Sequence, residues 1–225
     1  MHMKSGILKK MVLCLTAGIF VIGAAGCGGT QDQTQETAQE ASSEETASST
    51  SSTSDAETKD AGMHHVEITI KDYGTIALEL DADTAPVTVE NFINLAEEGF
   101  YDGLTFHRII EGFMIQGGDP AQSGDSKTAA SIPGEFASNG YENDISHKAG
   151  VISMARTQDP NSASSQFFIT VADSEFLDGE YAAFGHVTEG LDVAQKIAED
   201  AEPIDENGTI PFEAQPVIEK VVVLD

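Results

Sequence analysis

From residue 64 onward the apolar residues arrive in short runs separated by turn formers, and no other feature limits the possible folds as tightly. "HVEITI" and "TIALEL" alternate apolar with other side chains on either side of "KDYG", which predicts a hairpin of half-buried strands. "LTFHRII", "FMIQGG", "GVISMA", "SQFFITV", "AAFGHV" and "VIEKVVVL" follow, punctuated by Gly, Pro, Asn and Asp. Runs this short fit strands better than helices. Two segments differ. "DTAPVTVENFINLAEEGF" predicts a helix from about residue 86 to 98, with Asp83 or Thr84 as cap, Pro86 in the first turn and Gly99 just past the end. Val89, Phe92, Ile93 and Ala96 fall at helical spacing and should form its buried face. "EGLDVAQKIAED" (189–200) predicts a second amphipathic helix. Many short strands and two helices point to a mainly β fold, a closed or nearly closed barrel with helical caps.

The first 62 residues stand outside that pattern. Lys4, Lys9 and Lys10 precede the apolar run "MVLCLTAGIFVIGAAG" (11–26), which ends at Cys27. A basic start, an apolar run and small residues before a cut site describe an export leader. About 16 apolar residues fall short of the roughly 20 that a membrane span needs. "AAGC" (24–27) resembles the bacterial lipobox, whose cysteine becomes the lipidated first residue of the mature chain. The position three before the cysteine, usually branched and apolar, is Ala24 here. An uncleaved anchor is the alternative, and both readings place the remainder outside the cytoplasm. Residues 28–61 hold Gly, Ser, Thr, Gln and Glu with no aromatic, Val, Ile or Leu, so they cannot bury enough surface to offset their ordering entropy. A disordered tether of about 34 residues spans roughly 30 Å. The expected organisation is a leader over 1–26, Cys27 and linker over 27–62, and a folded domain over 63–225, anchored by lipid to a bacterial cell membrane.

Composition excludes several functions. The chain has 11 Lys and Arg against 38 Asp and Glu, a net charge of −27. Losing the three leader lysines would take it to about −30. Nucleic acid and anionic membrane patches both need clustered cations, so neither is an expected partner. Cys14 lies in the leader and Cys27 is the lipid site, leaving 28–225 without a thiol. No disulfide framework, cysteine nucleophile or cysteine metal site is possible there. No cofactor or metal is expected.

Against this acidic background, "LTFHRIIEGFMIQGG" (104–118) places Arg108 among phenylalanines. Taken alone, Arg108 reads as half of a structural ion pair. The wider segment "YDGLTFHRIIEGFMIQGG" (101–118), however, resembles the signature of cyclophilin-type peptidyl-prolyl cis-trans isomerases. "VISMAR" (151–156), "SQFFIT" (165–170) and "FLDGEYAAFG" (176–185) match further family blocks in the same order. The resemblance covers about 66–225 and implies an eight-stranded antiparallel barrel capped by two helices. It implies a protein that binds proline-containing polypeptides and speeds rotation about Xaa-Pro bonds. The export leader makes exported proteins the expected clients, and the acidity and single tether suit a monomer. By the same resemblance the site residues take roles. Arg108 would be the catalytic donor. Phe113, Met114, Phe168 and Leu177 would form the proline pocket, and Gln116 and Gln166 would orient the arginine or the substrate backbone. Ala155 and Arg156 would lie along the strand that binds the substrate main chain.

The chemistry fits those residue types. Xaa-Pro rotation must break amide resonance, a barrier of about 18–20 kcal/mol, and needs no covalent step. An apolar groove favours the twisted, less polar amide, and a fixed guanidinium can bond the nitrogen lone pair that develops or hold the proline carbonyl. Alternation along one strand would not bring Arg108, Phe113 and Gln116 together, so Gly112 must allow a turn or bulge.

Other residues have plainer readings. Phe113 and Phe168 could be core, and Gln116 a surface residue. His107 reads as a buried histidine with a backbone partner rather than an acid or base. His64 and His65 read as a frayed strand start rather than a metal site. His147 and His186 read as structural. The chain also departs from many family members: Phe176 stands where they carry Trp, Tyr181 where they carry His, and Arg156 where they carry Asn. "TQDPNSAS" (157–164) is one residue longer than the common animal form. Without the indole N–H at 176, weak cyclosporin binding is expected, and Arg156 should add a charge to the groove. A peptide-binding module without turnover and a solute-binding lipoprotein are the competing functions. The first would not need Arg108, and the second would need a larger two-lobed α/β chain.

Overall fold

The computed structural model describes residues 61–225, so the leader, Cys27 and most of the tether lie outside the described residues. The strands are β1 (Met63–Ile70), β2 (Gly74–Asp81), β3 (Phe106–Ile110), β4 (Met114–Gly117), β5 (Val151–Met154), β6 (Phe167–Thr170), β7 (Ala183–Glu189) and β8 (Ile218–Val223). The helices are α1 (Pro86–Glu97) and α2 (Leu191–Asp200). Among the described residues no helix is long and apolar enough to cross a membrane.

All eight strands form one antiparallel sheet in the order β3-β4-β6-β5-β7-β2-β1-β8. The sheet curls into a half-barrel with β3 and β8 as its edges. Those edges do not pair along their length as a closed barrel requires. They meet at a short seam, where Thr105 bridges Val217 and Phe106 N donates to the Pro216 carbonyl at 2.9 Å.

Alternation decides which face turns inward. Val66, Ile68 and Ile70 of β1 and Ile76, Leu78 and Leu80 of β2 are all buried. The predicted face of α1, Val89, Phe92, Ile93 and Ala96, packs into the same core. Phe92 reaches the rings of Tyr101, Phe167 and Phe184 at 5.0, 5.5 and 5.4 Å between centroids. Truncating a phenylalanine so enclosed costs about 3–5 kcal/mol.

The helix cap corrects the sequence reading. Ala85, not Asp83 or Thr84, precedes the first helical residue, and it makes no side-chain cap. The nearby Asp81 instead takes the Asp83 and Thr84 N–H groups. The buried Glu135, far along the chain, accepts from Val87 N at 3.1 Å, Thr88 N at 2.8 Å and Thr88 Oγ1 at 2.7 Å. A carboxylate there satisfies orphan helix donors and faces the positive end of the dipole. At the other end Gly99 adopts φ 67, as expected of a residue closing a helix.

Candidate active site

The β3–β4 hairpin builds the site. Gly112 takes φ 70 at its turn, and Phe113 N donates to the Ile110 carbonyl at 3.0 Å. A register shift between Phe106 and Arg108 then sets Arg108 directly opposite Gln116. Gln116 pairs with Phe168 on β6, and Phe168 with Ser153 on β5. One row of side chains therefore crosses four strands: Arg108, Gln116, Phe168, Ser153. The glycines of "QGG" keep this sheet close to its neighbours. A Cβ on Gly117 would lie 2.7 Å from the Thr105 carbonyl, and Gly118 has φ 78.

Met114, Phe168 and Leu177 form a small buried cluster separate from the main core, with Phe113, Ala155 and Tyr181 packed against it. Above them lies a groove of about 300 Å³ lined by Arg108, Phe113, Met114, Gln116, Ala155, Arg156, Phe168, Phe176, Leu177 and Tyr181. Phe113 and Phe176 face each other at 5.4 Å, and Phe168 meets Tyr181 edge-on at 5.8 Å. A larger cavity of about 720 Å³, lined by Met63, Val89, Ile93 and several carboxylates, lies elsewhere and holds none of the predicted site residues.

The guanidinium of Arg108 is held on two sides. Nε donates to the Asn207 carbonyl at 2.8 Å, and Nη1 to Gln116 Oε1 at 3.1 Å, with Met114 Sδ 3.9 Å away. Gln116 Nε2 donates to Gln166 Oε1 at 3.0 Å, and Gln166 Nε2 to Asp119 Oδ2 at 2.8 Å. The chemistry of the last group fixes every amide in this relay. A carboxylate only accepts, so Gln166 turns its NH₂ to Asp119, and Gln116 must then turn its oxygen to the arginine. Among the described residues Nη2 of Arg108 has no hydrogen-bond partner. Burial pulls the Arg108 pKa down, opposed by electrostatic interaction with Tyr181 and Asp205; a guanidinium nevertheless stays protonated at neutral pH.

Three comparisons with known proteins bear on this groove. The family model for "Cyclophilin type peptidyl-prolyl cis-trans isomerase/CLD" matches residues 65–223. The chain belongs to this family. It is 47% identical over 140 residues to peptidyl-prolyl cis-trans isomerase A of Dickeya dadantii, covering 60% of this chain and 71% of that protein. It is 42% identical over 133 residues to isomerase B of Escherichia coli, covering 56% and 79%. A cyclophilin-type isomerase from Cryptosporidium parvum, solved in the presence of the dipeptide Ala-Pro, superposes with TM-score 0.61 at 29% identity, over 72% of this chain and 99% of that one. The chain is thus a cyclophilin-type isomerase.

Within this cyclophilin one expectation is refined and one changes. Arg156 lines the groove, as its position suggested, but its guanidinium is held by the protein. Its Nε and Nη2 donate to the Glu180 carbonyl at 3.0 and 2.8 Å, its Nη1 to the Thr157 carbonyl at 2.9 Å, and its guanidinium stacks on Phe136 and Tyr181 at 4.9 and 4.8 Å. His107 lacks the expected partner, since its buried Nδ1 makes no hydrogen bond. Burial holds its pKa below the ordinary value, with Asp119 raising it and Arg108 lowering it further. His64 and His65 sit on β1 beside Asp225, and His65 also lies 3.4 Å from Glu79.

Several site residues were not foreseen. Asp119 anchors the glutamine relay, and the Asn207 carbonyl fixes the arginine from a loop 99 residues away. "GGDP" and "DENG" could have flagged both as turns, though not their targets. His147, Asp178 and Ser153 also join behind the groove.

Proposed function

We propose that this cyclophilin rotates Xaa-Pro bonds by a non-covalent mechanism in which Arg108 is the catalytic donor. The observation that carries this reading is the half-used guanidinium. Nε and Nη1 are committed to the protein, while Nη2 is left for a substrate at the wall of an apolar groove. A proline ring enters between Phe113, Met114, Phe168 and Leu177, and the Xaa-Pro amide lies beside Nη2. As the amide twists, its nitrogen recovers a lone pair that Nη2 can bond, and the surrounding apolar wall favours the less polar twisted state. A roughly 10⁵-fold acceleration requires lowering the barrier by about 7 kcal/mol. One hydrogen bond from a charged donor contributes about 1.5–3 kcal/mol. The remainder must come from desolvation and from fixing Arg108 before the substrate arrives. The Asp119–Gln166–Gln116 relay supports that last part.

The leader-like start and the "AAGC" cysteine support a location outside the cytoplasm with a lipid at Cys27, and hence a role in folding exported proteins. The strongly acidic chain suits a soluble monomer meeting unfolded polypeptides by diffusion. Phe176 has no ring N–H to donate, which supports weak cyclosporin binding. We read the seam between β3 and β8 as enough to hold the two edges as one wall, so that the half-barrel behaves as the closed barrel foreseen from the sequence. The test is NMR exchange of a short Xaa-Pro peptide. Wild type should accelerate it strongly, and Arg108→Ala should lose at least about a hundredfold, or roughly 2.7 kcal/mol. Peptide binding with no acceleration by wild type would make the groove a binding module.

A further inference from the structure

Behind the groove, His147 is completely buried although its segment belongs to no strand. Its ring lies nearly parallel to Phe168, at 14° and 6.1 Å between centroids. Nδ1 is 2.9 Å from Asp178 Oδ1, and the same oxygen accepts the His147 backbone N–H at 2.8 Å. Nε2 is 3.1 Å from Ser153 Oγ on β5. The His147 carbonyl accepts from Ser174 N at 2.7 Å. Ser174 and Asp178 flank the short turn Glu175–Leu177, which carries Phe176 and Leu177. One residue therefore grips both ends of the turn that forms one groove wall, backs the ring that forms its floor, and ties both to β5.

The proton positions follow from chemistry. Burial opposes ionisation of Asp178, but bonds from His147 and Ser146 outweigh it and hold its pKa below the ordinary value. An ionised carboxylate only accepts, so His147 carries its proton on Nδ1, and Nε2 accepts from the Ser153 hydroxyl. The Asp-His-Ser order resembles a hydrolytic triad. Ser153 is completely buried, however, and no carbonyl can reach it.

We propose that His147 is a positioning residue for isomerisation, setting the width of the proline pocket through Phe168 and the Glu175–Leu177 turn. The proposal rests on the isomerase reading of the groove. Its support is separate from the Asp119–Gln166–Gln116 relay that holds Arg108. Loosening the pocket should therefore weaken binding of the proline ring in ground state and transition state alike, which appears in KM more than in kcat.

The test compares His147→Ala, Asp178→Ala and Asp178→Asn with Glu135→Gln, which weakens the α1 cap without touching the groove. kcat and KM for Xaa-Pro exchange are measured well below every melting temperature. His147→Ala should raise KM about tenfold with kcat within about threefold. Asp178→Ala should raise KM about fivefold, whereas Asp178→Asn, which keeps an oxygen for the Nδ1–H, should stay within about twofold. The ¹⁵N spectrum of wild type should show a neutral His147 with its proton on Nδ1. KM in His147→Ala no higher than in Glu135→Gln overturns the proposal, as does a proton on Nε2. If His147→Ala does not fold, the two Asp178 variants decide, and equal KM values for them overturn it. An inactive wild type would sink the isomerase reading, whereas an active wild type with unmoved KM sinks only this proposal.

Discussion

The two faces of the strands β3, β4, β6 and β5 obey different rules. Inward, Ile109, Ile115, Ile169 and Ile152 lie in cross-strand register, all buried and all the same residue type. Outward, one residue along, the row is Arg108, Gln116, Phe168 and Ser153, with no two alike. The inner row needs only volume and apolarity, so one residue type can fill every position. The outer row needs particular donors, acceptors and rings at particular places. Because a strand's side chains alternate, the first row fixes the register in which the second is displayed. The isoleucines thus hold the catalytic row in place while touching none of its substrate.

That contrast can be broken from either side. The largest effect should come from the inner face. Ile115→Ala should cost about 2–5 kcal/mol of stability, measured by denaturant unfolding. Exchange activity per folded molecule should change little, and a large loss at conditions where the variant is fully folded would dissolve the division of labour. The outer face should show the reverse. Gln116→Leu removes the acceptor for Arg108 Nη1 and should lower kcat/KM about 10–100-fold, near the 1.5–3 kcal/mol of a charge-assisted bond. Its stability should move by less than that of Ile115→Ala.

The smallest effect is on pH dependence, and its sign can be worked out. Burial holds His107 and His147 below their ordinary pKa. The unfolded chain therefore binds these protons first, and stability should fall as pH drops below about 6.5, levelling off at the folded-state values. Asp178, Asp173, Asp125 and Asp205 are held below the ordinary carboxylate range, so they contribute a second loss near and below about pH 4. Thermal melts from pH 8 to 3 check this, and stability flat between pH 7 and 5 would contradict the histidine assignments.

The sequence made the local features legible. Alternation foretold β1 and β2, short apolar runs between turn formers foretold the other strands, helical spacing foretold the buried face of α1, and Gly112 foretold the turn of the hairpin. Four ordered blocks placed the groove residues together. What stayed hidden depends on pairs distant in the chain. Asp83 and Thr84 looked like caps for α1, but Asp81 engaged their backbone and Glu135 reached in from 47 residues away. Arg156 was legible as a charge at the groove, but not the contacts with Glu180, Phe136 and Tyr181 that hold it there. His147 gave no sign of its role, because Asp178 is 31 residues later and the geometry linking them exists only in the fold.

The central claim is that a positioned guanidinium, and not merely a positive charge, rotates the proline bond. Arg108→Lys tests it most directly, since lysine keeps the charge but has no planar fork to bond Asn207, Gln116 and substrate together. With peptide affinity and exchange rate measured separately, we predict affinity within about threefold of wild type and kcat lowered at least about thirtyfold, roughly 2 kcal/mol. A lysine variant that turns over at the wild-type rate would contradict the account.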